Sequence, residues 1–320
     1  MTDTRTFIFK RNEMPVQAWA DVLLLHTTFF LGEKTRTIAT SSHWAKYSND
    51  QMVSISEDEI LVHGFGFGDY ENSKSIHFFR KIINFPMTLG SNLVLALTSS
   101  RIQRAVRCLA ITTSRSINPD FARLANSLQM ISSRVPEFES KKRIAIIGDG
   151  FGTLGSLLAD INSNVTIVQI NLGRQLLFDY LFMNTSHPMR RHKILRSLSE
   201  VDEGAVNYLP AEFLATYDAK IDLFISSESF QEMDMITVRK YFELMRFQNT
   251  QTFLYSANRV SKKLPDGQVI EMEKYGWSVN DDHLSIASHW WLNWGIKRRP
   301  PFVFKMDGRI EERITGLGKN

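Results

Sequence analysis

Cysteine is almost absent from this sequence. The 320 residues contain one, Cys108, so the chain can form neither an internal disulfide nor a cysteine-rich zinc cluster. This usage is typical of a reducing compartment and predicts a cytoplasmic protein. Cys108 falls in an apparent helix over 104–111, beside Leu109 and Ala110, where we expect it to be buried and chemically inert.

Long hydrophobic runs are missing as well. The best apolar run covers residues 22–31 and is much shorter than the roughly 20 residues that cross a bilayer, so it predicts a buried helix rather than a transmembrane segment. Residues 1–12 have no sustained apolar core and do not resemble a signal peptide. With 43% hydrophobic and 22% charged residues, the composition is typical of a soluble globular protein.

The sequence has only a small excess of positive charge. The formal net charge is +4, and basic residues cluster at 141–143, 190–193 and 297–299. We expect these clusters to be solvated surface, while peripheral contact with a membrane or an anionic glycan stays open. Aromatic residues do not alternate with them as in a groove for single-stranded nucleic acid, so no nucleic-acid partner is expected. The sequence leaves the oligomeric state open.

The spacing of apolar residues changes near residue 140. Before it, helix-like spacing dominates, as over 121–131. After it, short apolar segments typical of buried parallel strands alternate with helix-like segments. The strand candidates are 144–147, 165–170, 221–225 and 252–255, and the helix candidates are 154–161, 174–183 and 235–247.

This alternation predicts an α/β fold with a Rossmann-like, doubly wound sheet over residues 141–320. Residues 1–140 are predicted to form a mainly helical region. We expect that region, with its glycine-rich loop at 64–70, to shape or cover the pocket of an acceptor substrate.

A glycine-rich turn follows the first predicted strand. The turn reads Gly148, Asp149, Gly150, Phe151, Gly152 and runs into a predicted helix. Glycine accepts positive φ and leaves room for a close ligand, while the start of a helix offers unpaired backbone N–H groups. The pattern therefore predicts a cofactor cleft, which we call the glycine turn hereafter.

The identity of the cofactor is left open by the turn itself. Residues 150–155 match the G-x-G-x-x-G pattern of dinucleotide sites. When the motif is counted from Gly148, however, its third glycine position is occupied by Thr153. In addition, Asn171 stands where an acid would bind the ribose. Three interpretations remain: a methyl-donor site, a nicotinamide or flavin site, and a turn without a nucleotide.

Motifs further along the chain add a resemblance. Residues 226–233 read Ser-Ser-Glu-Ser-Phe-Gln-Glu-Met, followed by Tyr241-Phe242, then Tyr-Ser-Ala-Asn-Arg at 255–259, Leu-Pro-Asp-Gly at 264–267 and Tyr-Gly-Trp at 275–277. With Ser-His-Trp at 42–44, this series resembles a family of sugar O-methyltransferases over roughly residues 40–300. The resemblance implies a class I methyltransferase fold, S-adenosylmethionine as cofactor and, commonly, a sugar of a bacterial surface polysaccharide. Asn171 departs from that family's usual aspartate.

The expected cofactor site lies at the carboxyl ends of the predicted strands. Glu212 could reach the adenine amino group, with Phe213 against the ring, or it could be an ordinary acid at a helix N-terminus. The predicted cofactor-binding residues are Gly148, Asp149, Gly150, Phe151, Gly152, Asn171, Leu172, Glu212, Phe213, Ser226 and Ser227.

Methyl transfer to a sugar hydroxyl benefits from a general base. Glu232 and His289 are the two candidates, and Glu228 is a further base or cofactor contact. Alternatively, Glu232 caps a helix or pairs with Arg259, and His289 packs in the core. The predicted substrate contacts are Gln231, Asn258, Arg259 and Trp290.

No metal site is predicted. Asp281, Asp282 and His283 are adjacent on an extended segment, so their side chains point to alternate faces and do not chelate one ion. Some sugar methyltransferases use Mg²⁺, but nothing in this sequence indicates it.

The sequence thus predicts an S-adenosylmethionine-dependent O-methyltransferase acting on a sugar or glycoconjugate. Three alternatives stay open: a methyltransferase of a small natural product, an NAD(P)-dependent oxidoreductase, and a non-catalytic Rossmann-like subunit that binds a partner enzyme.

Overall fold

Helices and strands alternate along most of the chain. The structure is a computed structural model that describes residues 6–31, 41–47, 52–63, 78–215, 219–248, 251–289, 293–296, 303–305 and 308–318. The helices are α1 (Val16–His26), α2 (Ser42–Tyr47), α3 (Phe78–Leu95), α4 (Ser100–Thr112), α5 (Pro119–Arg134), α6 (Thr153–Ile161), α7 (Gly173–Ser186) and α8 (Met235–Arg246).

The strands form one large sheet and three small ones. They are β1 (Phe7–Lys10), β2 (Met52–Ile55), β3 (Glu59–His63), β4 (Arg143–Ile147), β5 (Thr166–Asn171), β6 (His192–Ile194), β7 (Val206–Pro210), β8 (Leu223–Ser227), β9 (Thr252–Arg259), β10 (Ser261–Lys263), β11 (Val269–Glu271), β12 (Asp282–Ala287), β13 (Trp294–Ile296), β14 (Val303–Lys305) and β15 (Ile310–Leu317).

The large sheet has the order β12-β15-β9-β8-β4-β5-β7-β6. Strands β4 to β9 pair in parallel, whereas β15 is antiparallel to both β9 and β12. Counted along the chain, the segment β7-β5-β4-β8-β9 has the 3-2-1-4-5 order of a Rossmann-like sheet. The predicted fold class is therefore confirmed. Every strand and helix predicted after residue 140 overlaps an observed one, and the ends agree within two residues except that β9 continues to Arg259 and α7 to Ser186.

Helices cover both faces of this sheet, and this explains why its strands read as continuous apolar runs. Ile144 and Ile146 face a core that contains Leu157 and Phe178 of α6 and α7. Alternate residues face the second core, which is built mainly from α8 and the segment after β10. Helix α7 is buried on nearly all sides because α1 packs on its outer surface, where Tyr180 donates a hydrogen bond to Asp21.

The N-terminal region contains the expected helices and also a small antiparallel sheet, β1-β3-β2, that the sequence analysis did not predict. These strands have only four or five residues each, too few for a clear alternation. The apolar run at 22–31 forms the end of α1 and a π-helical turn, but Leu23 and Leu24 are exposed. The expected helix is therefore present, but it is buried on one side only, through Val22 and Leu25.

Cys108 also differs from expectation, because it is exposed. The buried face of α4 is made by Ile102, Val106 and Leu109, and Cys108 falls on the opposite face of the helix. No helix in the described part of the chain is long and apolar enough to cross a membrane.

Candidate active site

A cavity of about 790 Å³ opens at the carboxyl ends of the central parallel strands. Its walls come from α2, α5, the glycine turn, the starts of α7 and α8, the loop after β8, and residues 259–265. This is where open α/β sheets bind their ligands, and the volume is within the range of ligand pockets.

The glycine turn adopts the backbone conformation that its sequence predicts. Gly148, Gly150 and Gly152 have φ of +75°, +86° and +59°. A Cβ on Gly148 would lie 2.4 Å from the hydroxyl of Ser229, which donates a hydrogen bond to the Gly148 carbonyl. A Cβ on Gly150 would meet no described atom within 4 Å. Gly150 therefore presents bare backbone to the cavity.

Asp149 has a structural task inside the turn. Its carboxylate accepts hydrogen bonds from the backbone N–H groups of Leu154 and Gly155, at 2.9 and 2.7 Å, and from the amide of Gln169 at 3.0 Å. Burial raises the Asp149 pKa, whereas these hydrogen bonds act in the opposite direction. Asp149 thus satisfies the first turn of α6 and fixes the glycine turn against it.

Asn171 lines the cavity, but its side chain turns back into the protein. Its Nδ2 donates to Asp179 at 2.9 Å, and its Oδ1 accepts from the Leu172 N–H at 3.0 Å. The other oxygen of Asp179 accepts from the Gly152 N–H at 2.9 Å. Burial and the charge of Asp149 raise the Asp179 pKa well above its ordinary value.

A buried arginine lies beneath the same turn. Arg115 donates to Thr153 Oγ1 at 2.9 Å, and its guanidinium lies over the rings of Phe121 and Phe182. Its charge lowers the pKa values of both Asp149 and Asp179 and so partly offsets their burial. The sequence analysis missed Arg115 and Asp179, because neither belongs to a motif near the turn.

Glu212 and Phe213 lie in the short helical turn directly after β7. Both oxygens of Glu212 lie 3.1 Å from the Gly173 backbone nitrogen, so this carboxylate caps the N-terminus of α7. Burial raises its pKa. Phe213 is 42% exposed and packs near Phe29. Glu212 and Phe213 are not among the described residues of the cavity wall. That wall instead contains their neighbours Ala211 and Leu214, and also Gln175 of α7.

Gln231 and Asn258, which were predicted to contact substrate, hold the end of the sheet together. The Gln231 N–H donates to Asn258 Oδ1, and Gln231 Oε1 accepts from the Arg259 N–H at 2.8 Å. Asn258 also donates to the backbone oxygen of the buried Ser226. The described wall of the cavity includes Ser227 and Arg259 but not Ser226, Gln231 or Asn258.

Glu228 is held in an ion pair at the cavity wall. Its backbone is left-handed, with φ of +59°, and its N–H donates to Ala257 at 2.7 Å. Its carboxylate lies 3.2 Å from the guanidinium of Arg123, which also pairs with Asp120. These three charged side chains line the cavity beside the glycine turn.

Glu232 forms the centre of a second charged cluster. Its Oε1 lies 3.2 Å from His43 Nε2 and 2.9 Å from Lys262 Nζ, and all three residues line the cavity. Burial by itself raises the Glu232 pKa, but the hydrogen bond from His43 and the charge of Lys262 outweigh it, so the pKa lies below its ordinary value. Ser41 donates to the Glu232 backbone oxygen and anchors this part of the N-terminal region.

His289 lies elsewhere. Its Nε2 is 3.3 Å from Glu312 Oε2, and Tyr255 donates to the other oxygen of Glu312. Burial raises the Glu312 pKa to about 7, and burial together with the charge of Arg134 lowers the His289 pKa. His289 is not among the described residues of the cavity wall. Trp290 lies outside the described residues.

The acidic segment 281–283 serves a structural purpose. Asp281 accepts two hydrogen bonds from Arg246, at 2.8 and 2.7 Å, and two more from the backbone nitrogens of Ser278 and Gly318. Among the described residues, no group of three acidic, histidine or cysteine side chains is placed to hold a metal ion.

The sequence matches no family model and no curated protein. Solved structures that match the chain include the mitomycin 7-O-methyltransferase MmcR, with 12% identity over 62% of this chain and 57% of that one and a TM-score of 0.37. The cyclopropane synthase MmaA2 from Mycobacterium tuberculosis has 10% identity over 63% of this chain and 85% of that one, with a TM-score of 0.42. Similarity at this level does not extend to function.

Proposed function

We propose that this protein is an S-adenosylmethionine-dependent O-methyltransferase that acts on a hydroxyl of a sugar or glycoconjugate. One observation carries the proposal: the glycine turn presents bare backbone at Gly150 to a cavity, and the same cavity contains the His43–Glu232 pair. A cofactor cleft and a candidate acid–base group therefore share one space, as a group-transfer enzyme requires.

The residues around the glycine turn fit this cofactor. Gly150 allows close approach of a ligand, Asn171, Leu172 and Gln175 line the wall beside the start of α7, and Ala211 and Leu214 add apolar surface. When bound, S-adenosylmethionine supplies an electrophilic methyl group on a sulfonium. Asn171 is turned toward Asp179, so we assign ribose contacts to Gln175 together with the backbone of the turn.

For the acceptor we assign His43 as the general base and Glu232 as its positioning residue. Glu232 is already paired with two cationic partners and has a lowered pKa, so it is a weak proton acceptor. A carboxylate that orients a histidine and stabilises its protonated form is a recurrent arrangement in acid–base catalysis. Trp44, next to His43, lines the same cavity and offers an aromatic surface to a sugar face.

A nicotinamide-dependent oxidoreductase is the second candidate, and one observation favours it. A Cβ on Gly155 would lie 2.1 Å from Gln169 Nε2, so α6 packs closely on β5 there, which is the task of the third glycine in a dinucleotide motif. Against it, no carboxylate ends β5, and the Asn171 amide is occupied by Asp179. Two further alternatives are a methyltransferase of a small natural product and a non-catalytic subunit that binds a partner enzyme.

Calorimetric titration with S-adenosylhomocysteine and with NAD separates these candidates. We expect S-adenosylhomocysteine to bind and NAD to give no heat above that of dilution. Binding of NAD alone would refute the methyltransferase. Transfer of labelled methyl groups to any purified sugar acceptor would exclude the non-catalytic subunit.

A further inference from the structure

Basic side chains are concentrated on one wall of the cavity. Lys240 of α8, Arg259 at the end of β9, and Lys262 and Lys263 of β10 all line it. Lys262 is neutralised by Glu232 at 2.9 Å. Within the part of the chain that the structure describes, Lys240, Arg259 and Lys263 have no acidic partner.

Arg259 is the most constrained of these three. Its Nε is buried and makes no hydrogen bond to any described group, although leaving such a donor unsatisfied is costly. Its alkyl stem lies against Gly308, where a Cβ would approach Arg259 Cδ to 3.3 Å and where φ is +80°. Bare backbone at Gly308 therefore leaves room for the arginine in its position.

The wall near the glycine turn has the opposite balance. Among the described residues there, Asp120 and Glu228 share one cation, Arg123, and Asp149 of the glycine turn also lines the cavity. S-adenosylmethionine, with its sulfonium and ammonium groups and one carboxylate, carries a net positive charge and suits this acidic wall. The unneutralised basic wall is then left to the other substrate.

We propose that the acceptor carries an anionic group, a carboxylate or a phosphate, and that Arg259 binds it with help from Lys263 and Lys240. Identifying this ligand as the methyl acceptor rests on the proposed function, whereas anion binding at the subsite does not depend on methyl transfer. A guanidinium presents paired donors that match carboxylate and phosphate oxygens, and Arg259 lines the cavity without an acidic partner among the described residues.

Two matched probe pairs test this subsite by ligand-observed NMR titration, with S-adenosylhomocysteine present. Glucuronate is compared with uncharged glucuronamide, and glucose 6-phosphate with glucose. We expect at least one anion to bind about tenfold or more tightly than its neutral partner, and the two pairs distinguish a carboxylate from a phosphate. Arg259→Gln should reduce the affinity for that anion about 10- to 100-fold, as for a lost charged hydrogen bond.

Arg239→Gln is the matched control, because Arg239 is an exposed neighbour of Lys240 on α8 and is not among the described residues of the cavity wall. It should leave anion affinity unchanged, whereas Lys240→Gln and Lys263→Gln should lower it by smaller factors than Arg259→Gln. These lysines are exposed, so their variants test the subsite even if Arg259→Gln does not fold.

Equal affinity of wild-type protein for anionic and neutral probes would overturn the inference, as would an equal loss in the Arg239→Gln control. Calorimetry with S-adenosylhomocysteine on each variant should give unchanged affinity. Absence of that binding in wild-type protein would count against the methyltransferase alone, while the anion titration would still be decisive for the subsite.

Discussion

The side-chain amide of Asn171 donates a hydrogen bond to the buried carboxylate of Asp179, with Nδ2 and Oδ2 2.9 Å apart. Asp179 accepts its second hydrogen bond from the glycine turn, through the Gly152 N–H. An asparagine at the end of β5 therefore has a clear physical reason: the acid of this region lies on α7, and it needs a donor beside it. A second carboxylate at position 171 would face Asp179 directly.

Asn171→Asp, which introduces the acid usual in the family that the sequence resembles, is accordingly expected to destabilise the protein. It replaces a donor by an acceptor next to a buried carboxylate, at a cost of about 1–3 kcal/mol. We expect no gain in affinity for S-adenosylhomocysteine. Thermal unfolding measures the first effect and calorimetry the second.

The pH dependence of this variant has a definite sign. The Asp179 pKa is raised in the folded state. The contribution of protonated Asp179 to the stability of the fold is therefore fully present below the unfolded pKa and is lost as pH rises through the folded pKa. A second carboxylate should enlarge this loss, so the stability gap to wild type should widen as pH rises above about 4, the ordinary pKa of an aspartate. Asn164→Asp at an exposed position is the control; an equally large gap there would contradict the explanation.

Gly150→Ala should weaken cofactor binding more than it weakens the fold. The new Cβ has space in the protein but points into the cavity, whereas the positive φ costs about 1 kcal/mol. Gly204→Ala is a matched control, because Gly204 has φ of +70° and equally open surroundings away from the cavity wall. Both variants should unfold at similar temperatures, and only Gly150→Ala should raise the dissociation constant of S-adenosylhomocysteine.

His43→Ala is expected to lower turnover about 100-fold or more, the usual contribution of a general base, with cofactor affinity nearly unchanged. Glu232→Gln should lower turnover less, because it removes the carboxylate charge beside His43 Nε2 but leaves the imidazole in place. Methyl transfer from labelled S-adenosylmethionine measures both effects.

His289→Ala serves as the comparison for these two variants, because His289 lies beside Glu312, with Nε2 and Oε2 3.3 Å apart, and is not among the described residues of the cavity wall. Its turnover should stay close to that of wild type. A strong loss in His289→Ala together with normal turnover in His43→Ala would reverse the assignment of the base.

Asp281→Asn should destabilise the protein by about 3 kcal/mol or more, because it leaves the buried Arg246 without its counter-ion. Asp282→Asn, at the exposed neighbouring position, should change stability little. Chemical denaturation of the two variants gives the comparison. If stability falls equally in both, the ion pair is not the cause.

The pH dependence that Asp281 contributes has the opposite sign to that of Asp179. Burial raises the Asp281 pKa, but the hydrogen bonds from Arg246 and from the backbone of Ser278 and Gly318 outweigh it, so its pKa lies below the ordinary value of 3.8. Its stabilising contribution is therefore present above the unfolded pKa and is lost as pH falls through the folded pKa. In acid, the difference between wild type and Asp281→Asn should shrink.

Much of the Rossmann-like domain was predictable because its elements leave local signals. Buried parallel strands such as β4 and β5 are apolar at nearly every position, and a glycine-rich turn with positive φ tolerates few other residues. Strands β12 and β15 were harder to predict, because their pairing beside β9 depends on contacts across the sheet rather than on a local pattern.

The site was predictable only in outline. The carboxyl ends of parallel strands meet at one edge, so the sequence indicated that the glycine turn, Asn171 and Ser227 surround a common cleft. It did not indicate which way polar side chains point. Gln231 and Asn258 are turned into the junction of β8 and β9, while Arg259, one residue further, lines the cavity.

The sequence by itself determined the alternation of the central parallel strands with helices α6 to α8, the position of the glycine turn and the edge of the sheet at which the cavity opens, because each depends on residues close together in the chain. Only the tertiary structure decided the partners of the charged groups: His43 with Glu232, Arg115 beneath the glycine turn, and Arg259 without an acidic partner among the described residues. These residues come from segments that are far apart in the sequence. A buried charge is costly unless an opposite charge or a hydrogen-bond partner lies beside it, and only the packing of those segments decides which groups meet.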